Sequence, residues 1–266
     1  MTLKTGGLAQ AWAACMLGMW AIAGSHAARA ADPPLETTTN LSVGPGEFLT
    51  PSYPGARSSR GFLLPYVDAE YAGRLYTNAS DLLGVYAYKT AGDALGAALQ
   101  YDFTERLDKD DARFRNLREI RATPRFKLFA DKTVSLFTGD FNVATDMANR
   151  GQGTLAQANL WATLPFIKKW VFSVGPGITW ADERYMHSFF TITPAQAAVS
   201  PLAAYQARAG ILDVHLNGLV TYEISSRWSV GASAYAARLR GDAAGSPVTL
   251  RRDQTTALAW LVYKIK

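Results

Sequence analysis

After residue 30 the sequence contains no cysteine; the only one, Cys15, lies before that point. A chain read from there has no disulfide, no thiolate metal site and no cysteine nucleophile. It also lacks any apolar run approaching the roughly 18 residues that a membrane-spanning helix needs. Charge of one sign is scarce. Setting Lys4 and Arg29 aside from the 27 basic residues leaves 25 against 22 acidic ones, a formal +3. That balance is too weak and too dispersed for nucleic-acid binding. Gly-x-Ser-x-Gly and His-Glu-x-x-His are absent. Repeats of about 20 to 50 residues and low-complexity tracts are missing too, so nothing marks a second domain.

What is present begins with a three-part leader. Lys4 supplies positive charge, Leu8 to Gly24 is apolar, and Ala28-Arg29-Ala30 offers a small-x-small cleavage site. This predicts a cleavable secretory signal over residues 1–30, with 31–40 an irregular lead-in and 41–266 a single β domain. Trp12 and the apolar Met16-Leu17 around Cys15 argue against a lipoprotein box. The chain is 48% hydrophobic and 12% aromatic. An exported chain that is this apolar and has no spanning helix is either a periplasmic β protein or a β-barrel in lipid. Closed barrels, like helices, satisfy every backbone N–H and C=O in hydrocarbon.

Alternation favours the barrel. Trp170, Phe172, Val174, Pro176, Ile178 and Trp180 share one large apolar face; Ser173, Gly175, Gly177 and Thr179 lie on the other. Ten steps of ~3.3 Å tilted by ~40° rise about 25 Å, the height of a lipid-facing band between aromatic girdles. Trp170, Trp180, Trp228 and Tyr263 are the candidate girdle. The same dyad pattern predicts about twelve antiparallel up-and-down strands, at 41–48, 62–71, 74–78, 82–89, 94–104, 119–130, 133–145, 153–165, 169–181, 207–223, 227–239 and 253–265. Short connections (Ala72-Gly73, Thr90-Ala91-Gly92, Asp131-Lys132, Ile167-Lys168, Ser225-Ser226) alternate with long ones at 49–61, 105–118, 146–152, 182–206 and 240–252. This asymmetry and the even count place both termini in the periplasm of a Gram-negative cell. Pro124 and Pro176 lie inside strands and predict a bulge or gap. Thr193 to Ser200 reads as a short helix with Thr193 as N-cap and Pro194 in its first turn.

Alternation points Asp68, Glu70, Gln100, Asp102, Arg121, Arg125, Lys127, Asp140, Asp213, His215 and Asn217 into the lumen. Their mixed signs predict mutual pairing and a plugged or very narrow interior, because an unpaired buried charge is costly. Trp161 and Trp260 also point inward, as lumen packing. Asp182, Glu183 and His187, with Asp213 and His215 on the next strand, hold groups from which a hydrolase or metal site could be built. The plainer expectation is a hydrogen-bonded cluster under a loop. Asp108 to Arg118 reads as a solvated outer loop, with contact between Arg113, Arg115, Arg118 and lipopolysaccharide phosphates as the alternative. Asn78-Ala79-Ser80 reads as a turn.

Several of these segments resemble the MltA-interacting protein/OmpV family of outer-membrane proteins. The resemblance runs from Gly175-Pro176-Gly177-Ile178-Thr179-Trp180-Ala181-Asp182 through Tyr185-Met186, Phe189-Phe190, Thr193-Pro194-Ala195-Gln196-Ala197 and Leu202 to Tyr205. It continues in Trp228-Ser229-Val230-Gly231 and Leu239 to Pro247, and earlier in Pro51 to Gly55 and Pro65 to Asp68. Members typically end in an aromatic residue, whereas here Ile265 takes that place and Lys266 overhangs it. The resemblance marks Asp182, Tyr185, Phe189, Phe190, Pro194, Gln196 and Tyr205 as a family loop. It implies a non-catalytic scaffold without cofactors, set among outer-membrane lipids and lipopolysaccharide, bridging a lytic transglycosylase and a bifunctional penicillin-binding protein. A narrow solute pore and an adhesin acting through outer loops are the competing expectations.

Overall fold

A computed structural model describes residues 39–167 and 169–265. The leader 1–30, Cys15 and most of the lead-in lie outside the described residues, as does Lys168. The chain forms twelve strands: β1 (Asn40–Pro51), β2 (Ser59–Tyr71), β3 (Leu75–Thr77), β4 (Asp81–Lys89), β5 (Asp93–Asp102), β6 (Thr123–Val134), β7 (Phe137–Asp146), β8 (Thr154–Ile167), β9 (Trp170–Ala181), β10 (Gly210–Glu223), β11 (Trp228–Leu239) and β12 (Asp253–Lys264). Each pairs antiparallel with its sequence neighbours. β12 returns to β1, from Ser42 opposite Lys264 to Leu49 opposite Ala257, and closes the barrel.

Strand alternation makes the two faces. β11 is the cleanest case: Ser229, Gly231, Ser233, Tyr235, Ala237 and Leu239 point inward, and their neighbours point out. Leu63, Leu83, Leu99, Leu128, Phe141 and Leu216, on six different strands, are all exposed on the outer face. An apolar belt that runs round a closed sheet is stable in lipid and costly in water. No helix among the described residues is long and apolar enough to cross a membrane. Inside, small residues make room for large ones. A Cβ on Gly231 would sit 2.3 Å from the Trp260 ring, and one on Gly177 would lie 2.1 Å from both Asn159 Oδ1 and His215 Nε2.

The structure shifts one hairpin. The Asp131-Lys132 turn expected from sequence is strand: β6 runs on to Val134 and the chain reverses at Ser135-Leu136, with Ser135 at φ 57°. Asp131 instead faces the lumen opposite Asp140. β6 also begins at Thr123, so Arg121 falls outside it. The side chain of Arg121 is 69% exposed and pairs with Glu119, not with the lumen. Pro124 causes no shift, because it lies at the end of β6 where β7 has already stopped pairing. Pro176 does leave a gap: β8 and β9 pair at Asn159/Gly177 and again at Ala162/Val174, but not between. In β10 a register shift between Ile211 and Asp213 lets Leu212 and Asp213 both turn inward.

Two features set the site. First, the long connections fold over one mouth. They carry helices α1 (Glu183–Phe190), α2 (Pro194–Ala197) and α3 (Gly241–Gly245) and a 3₁₀ turn at Ala112–Phe114. Asp182 caps α1 by accepting from Tyr185 N at 2.8 Å. Thr193 and Gln196 form a reciprocal capping box on α2. Second, the wall is uneven. β3 is only three residues long and pairs with β2 solely through Ala69, Glu70 and Tyr71. Above that point β2 has β1 on one side and no ladder on the other.

Candidate functional site

The lumen is filled by its own polar side chains. Lys127 and Asp81, both fully buried, meet at 2.6 Å, and Tyr76 donates its hydroxyl to Asp81 at 3.0 Å. Towards the loop mouth Arg125 donates from Nε to Asp102 at 2.7 Å. Its remaining donors reach the carbonyls of Ala144, Gly153 and Gln152 and the Gln152 side chain at 3.0–3.3 Å. Every arm of the guanidinium fork is thus engaged. Gln152, itself buried, donates to the carbonyls of Thr104 and Arg121 at 2.6 and 2.8 Å and ties the 103–122 and 147–153 connections to that fork.

A second chain crosses from β7 to β11. Asp140 accepts from Asn159 Nδ2 and Trp161 Nε1, each at 2.8 Å. His215 donates from Nδ1 to Asp213 at 2.7 Å, and its Nε2 lies 2.7 Å from Asn159 Oδ1. Asn217 donates to the same oxygen at 3.0 Å and Tyr235 donates to Asp213 at 2.8 Å. Asp68 is buried on the inner face of β2, and Glu70 pairs with Lys89 at 2.6 Å. Gln100 lines the lumen cavity beside Asp102. Trp161 and Trp260 are 1% and 2% exposed, packed inside with Tyr66 and Tyr235.

The cap seals the loop mouth by packing. Tyr185, Met186, Phe189 and Phe190 of α1 form one buried cluster with Leu212, Leu239 and Ala243. Tyr53, Phe114, Leu117, Ile192, Leu202 and Val248 form another. The 108–118 segment is solvated on one side only: Asp108, Lys109, Arg115, Asn116 and Arg118 are exposed, while Phe114 (1%) and Leu117 (6%) are buried in the cap. Arg113 turns inward to Asp111, the Pro247 carbonyl and Tyr53, which leaves Arg115 and Arg118 exposed. Arg106 donates to the Phe189 carbonyl at 2.8 Å and so links the 103–122 loop to α1. Burial pulls the Arg106 guanidinium down to about 10 and pushes the Tyr53 phenol up to about 12, with Asp111 adding to the rise at Tyr53. The Arg113 hydrogen bond holds the Asp111 carboxyl below the usual range. Tyr205 donates to the Asp242 carbonyl at 2.9 Å, and burial raises its phenol.

The candidate chemical groups are not assembled into one centre. Asp182 is consumed by the α1 cap, and Glu183 and His187 lie one helical turn apart on the exposed side of α1. Asp213 and His215 are inside the barrel, with both His215 ring nitrogens engaged. No group of three or more His, Cys, Asp or Glu among the described residues could hold a metal ion. Pro194 and Gln196 shape α2. Trp170, Trp228 and Tyr263 sit on the outer face near the short turns, with Trp180 at the opposite end of β9. Trp170 packs tilted against Tyr222 at 4.6 Å and Trp228 against Tyr263 at 5.0 Å between ring centroids. Sequence reasoning missed Asp81, Asp131, Asn142, Gln152 and Asn159. The first two resembled turn residues; the amides carry no sequence signal distinct from a wetted strand face.

Between the cap and the mid-barrel charges lies a cavity of about 180 Å³. Tyr185 forms its roof, and Arg125, Asp102, Asp213 and Tyr235 line its depth.

Comparison with known proteins gives a family. The model of the family described as MltA-interacting protein MipA matches residues 43–265. No curated protein matches the sequence significantly. Among solved structures, an outer membrane channel from Pseudomonas putida F1 aligns at 12% identity and TM-score 0.43, covering 90% of this chain and 100% of that one. OmpF of Salmonella typhi, in complex with daunomycin, aligns at 9% identity and TM-score 0.36 over 85% of this chain and 97% of that one. The outer membrane protein OprD of Pseudomonas aeruginosa aligns at 15% identity and TM-score 0.36 over 85% and 65%.

Proposed function

Because this chain belongs to the MltA-interacting protein MipA family of outer-membrane β-barrels, we propose that it is a non-catalytic anchor. In this reading its periplasmic face docks a lytic transglycosylase and a bifunctional penicillin-binding protein at a set distance from the membrane. The observation that carries the reading is a basic collar on a barrel whose interior is occupied. Four of the five short turns, the periplasmic ones in such barrels, have a basic residue in or beside them (Arg74, Lys89, Lys169 and Arg227), and Lys132 lies in β6 three residues before the fifth. Lys264 adds a sixth at the end of β12. Among the described residues Glu70, Asp93 and Glu223 oppose them nearby, so these six basic residues exceed the acidic ones by three. Such a surface steers and orients an acidic partner.

The filled lumen supports the same reading against a general pore. Arg125, Lys127, Asp140 and His215 are spent on one another's neighbours, and an open water path would require breaking those pairs. It also speaks against catalysis in the lumen, since His215 has no nitrogen free for a substrate. The test is affinity capture from mildly solubilised membranes, with the wild type and with the triple charge reversal Arg74→Glu, Lys169→Glu, Arg227→Glu. Capture of a lytic transglycosylase should fall at least tenfold in the variant and weaken with salt. Equal capture by both proteins, or capture lost only when the outer loops are removed, overturns the proposal.

A further inference from the structure

The cavity under the cap has a side door. From Ser59 to Asp68, β2 has no hydrogen-bonded neighbour on the side facing β5, because the β3–β4 hairpin turns back at Asn78–Ser80. Pro65 lies in this stretch, opposite Pro45 on β1. A strand with a free edge tolerates a residue that cannot donate. At roughly 2.5 Å of rise per tilted residue, the unladdered edge is about 20 Å tall.

Side chains close its upper part. Phe62 packs against Phe103 at 5.8 Å between ring centroids, and Arg60 pairs with Glu105. Below them the frame is Leu64, Pro65 and Tyr66 on one side, Gln100 and Tyr101 on the other, and Ala79-Ser80 as the sill. Pro65 and Tyr101 point outward and are exposed, yet both line the cavity. Residues that line the cavity are thus exposed on the outer surface of the wall beside the unladdered edge of β2. Leu63 (80% exposed) and Leu82 (62%) flank this opening within the lipid-facing belt. Phe48 and Leu258 continue the apolar lining inside. Deeper, Asn142 is 5% exposed and its Nδ2 has no hydrogen-bond partner, although it lines the same cavity. A buried donor left free in this way is costly unless something accepts from it.

We propose that this window admits the acyl chain of an outer-leaflet amphiphile sideways from the membrane, the chain lying along Phe48 and Leu258 and a polar oxygen of the amphiphile accepting from Asn142. The chemistry is shared by a free fatty acid and by a lipid carrying its own acyl chains. The inference is independent of the docking role, which concerns the other end of the barrel.

The experiment reconstitutes the full barrel in liposomes and photolabels it with a diazirine-bearing palmitate in one arm and a phospholipid carrying the same diazirine chain in the other. Peptide mapping then reads the sites. Labels on inward residues such as Leu258, Tyr235 and Phe48 are expected from at least one probe, and which probe labels them identifies the source. Ala79→Trp and Leu64→Trp, which narrow the sill and the jamb, should each reduce inward labelling at least fivefold, with labelling of the outer belt unchanged. Asn142→Leu should reduce it about threefold. Labels confined to outward residues with both probes overturn the proposal. So does inward labelling that survives both tryptophans in barrels retaining heat-modifiable migration. Wild-type mapping alone keeps the proposal falsifiable if a tryptophan variant fails to assemble.

Discussion

Lys127 in the middle of the barrel and Phe190 beneath the outer loops are both entirely withdrawn from water. One is held by charge and the other by packing. The mid-barrel is held by ion pairs and amide bridges, Lys127 with Asp81, Arg125 with Asp102, His215 with Asp213 and Asn159, beside which the buried Asp131 carboxylate and Asn142 Nδ2 have no hydrogen-bond partner. The cap is two apolar clusters with few charges, laid over the mouth by helices only 4 to 8 residues long. Charges across a lumen are positioned by a closed wall, so their loss reports on the whole barrel. The cap clusters are built on connections, so their loss reports on the connections alone.

The sharpest test of that contrast is Lys127→Ala. It leaves Asp81 buried without its counter-ion and should cost about 3–5 kcal/mol of barrel stability, read from urea unfolding in lipid vesicles. Pairing Lys127→Met with Asp81→Asn should recover most of the loss, because the penalty comes from the orphaned charge. A single variant that unfolds like the wild type would show that water reaches this pair. Phe190→Ala should act differently: a loss of about 3 kcal/mol confined to the cap. Hydrogen exchange across 182–209 should accelerate about a hundredfold while the barrel's unfolding midpoint stays put. A shifted midpoint would mean that cap and wall form one cooperative unit.

The smallest expected effect is acidification of the cap. The Asp111 carboxyl is held below its ordinary value by Arg113, so the pair stabilises the loop above the usual carboxylate range of about 3.9. That contribution is lost as pH falls through the lowered folded value. Exchange in 107–118 should therefore rise on acidification below about pH 4, and Asp111→Asn should abolish the pH dependence. The same dependence in the Asn variant would point to another group.

Much of the wall was legible because strand alternation is local. The faces of β9, β11 and β12 follow from residue types two apart, and the short turns at 72–74, 90–92 and 224–227 carry recognisable residues. The β6–β7 hairpin was misread for a physical reason. Asp131-Lys132 is polar like a turn, and a polar residue facing a lumen looks the same in sequence as one facing water. Arg121 was misplaced by the same error of boundary. The cap was half legible: Thr193, Pro194 and Gln196 announce α2. α1 could have been found from Asp182 as a cap followed by Tyr185/Phe189 and Met186/Phe190 at helical spacing.

The sequence alone determined that this protein is an antiparallel barrel with an apolar outside, a charged inside and one end of long loops. Those properties depend on neighbours along a strand. Which acid meets which base, that Phe114 and Phe190 share a lid, and that the wall stops short beside β2 were decided only by closure of the sheet. Residues 46 positions apart, such as Asp81 and Lys127, become partners only when every strand between them has taken its register.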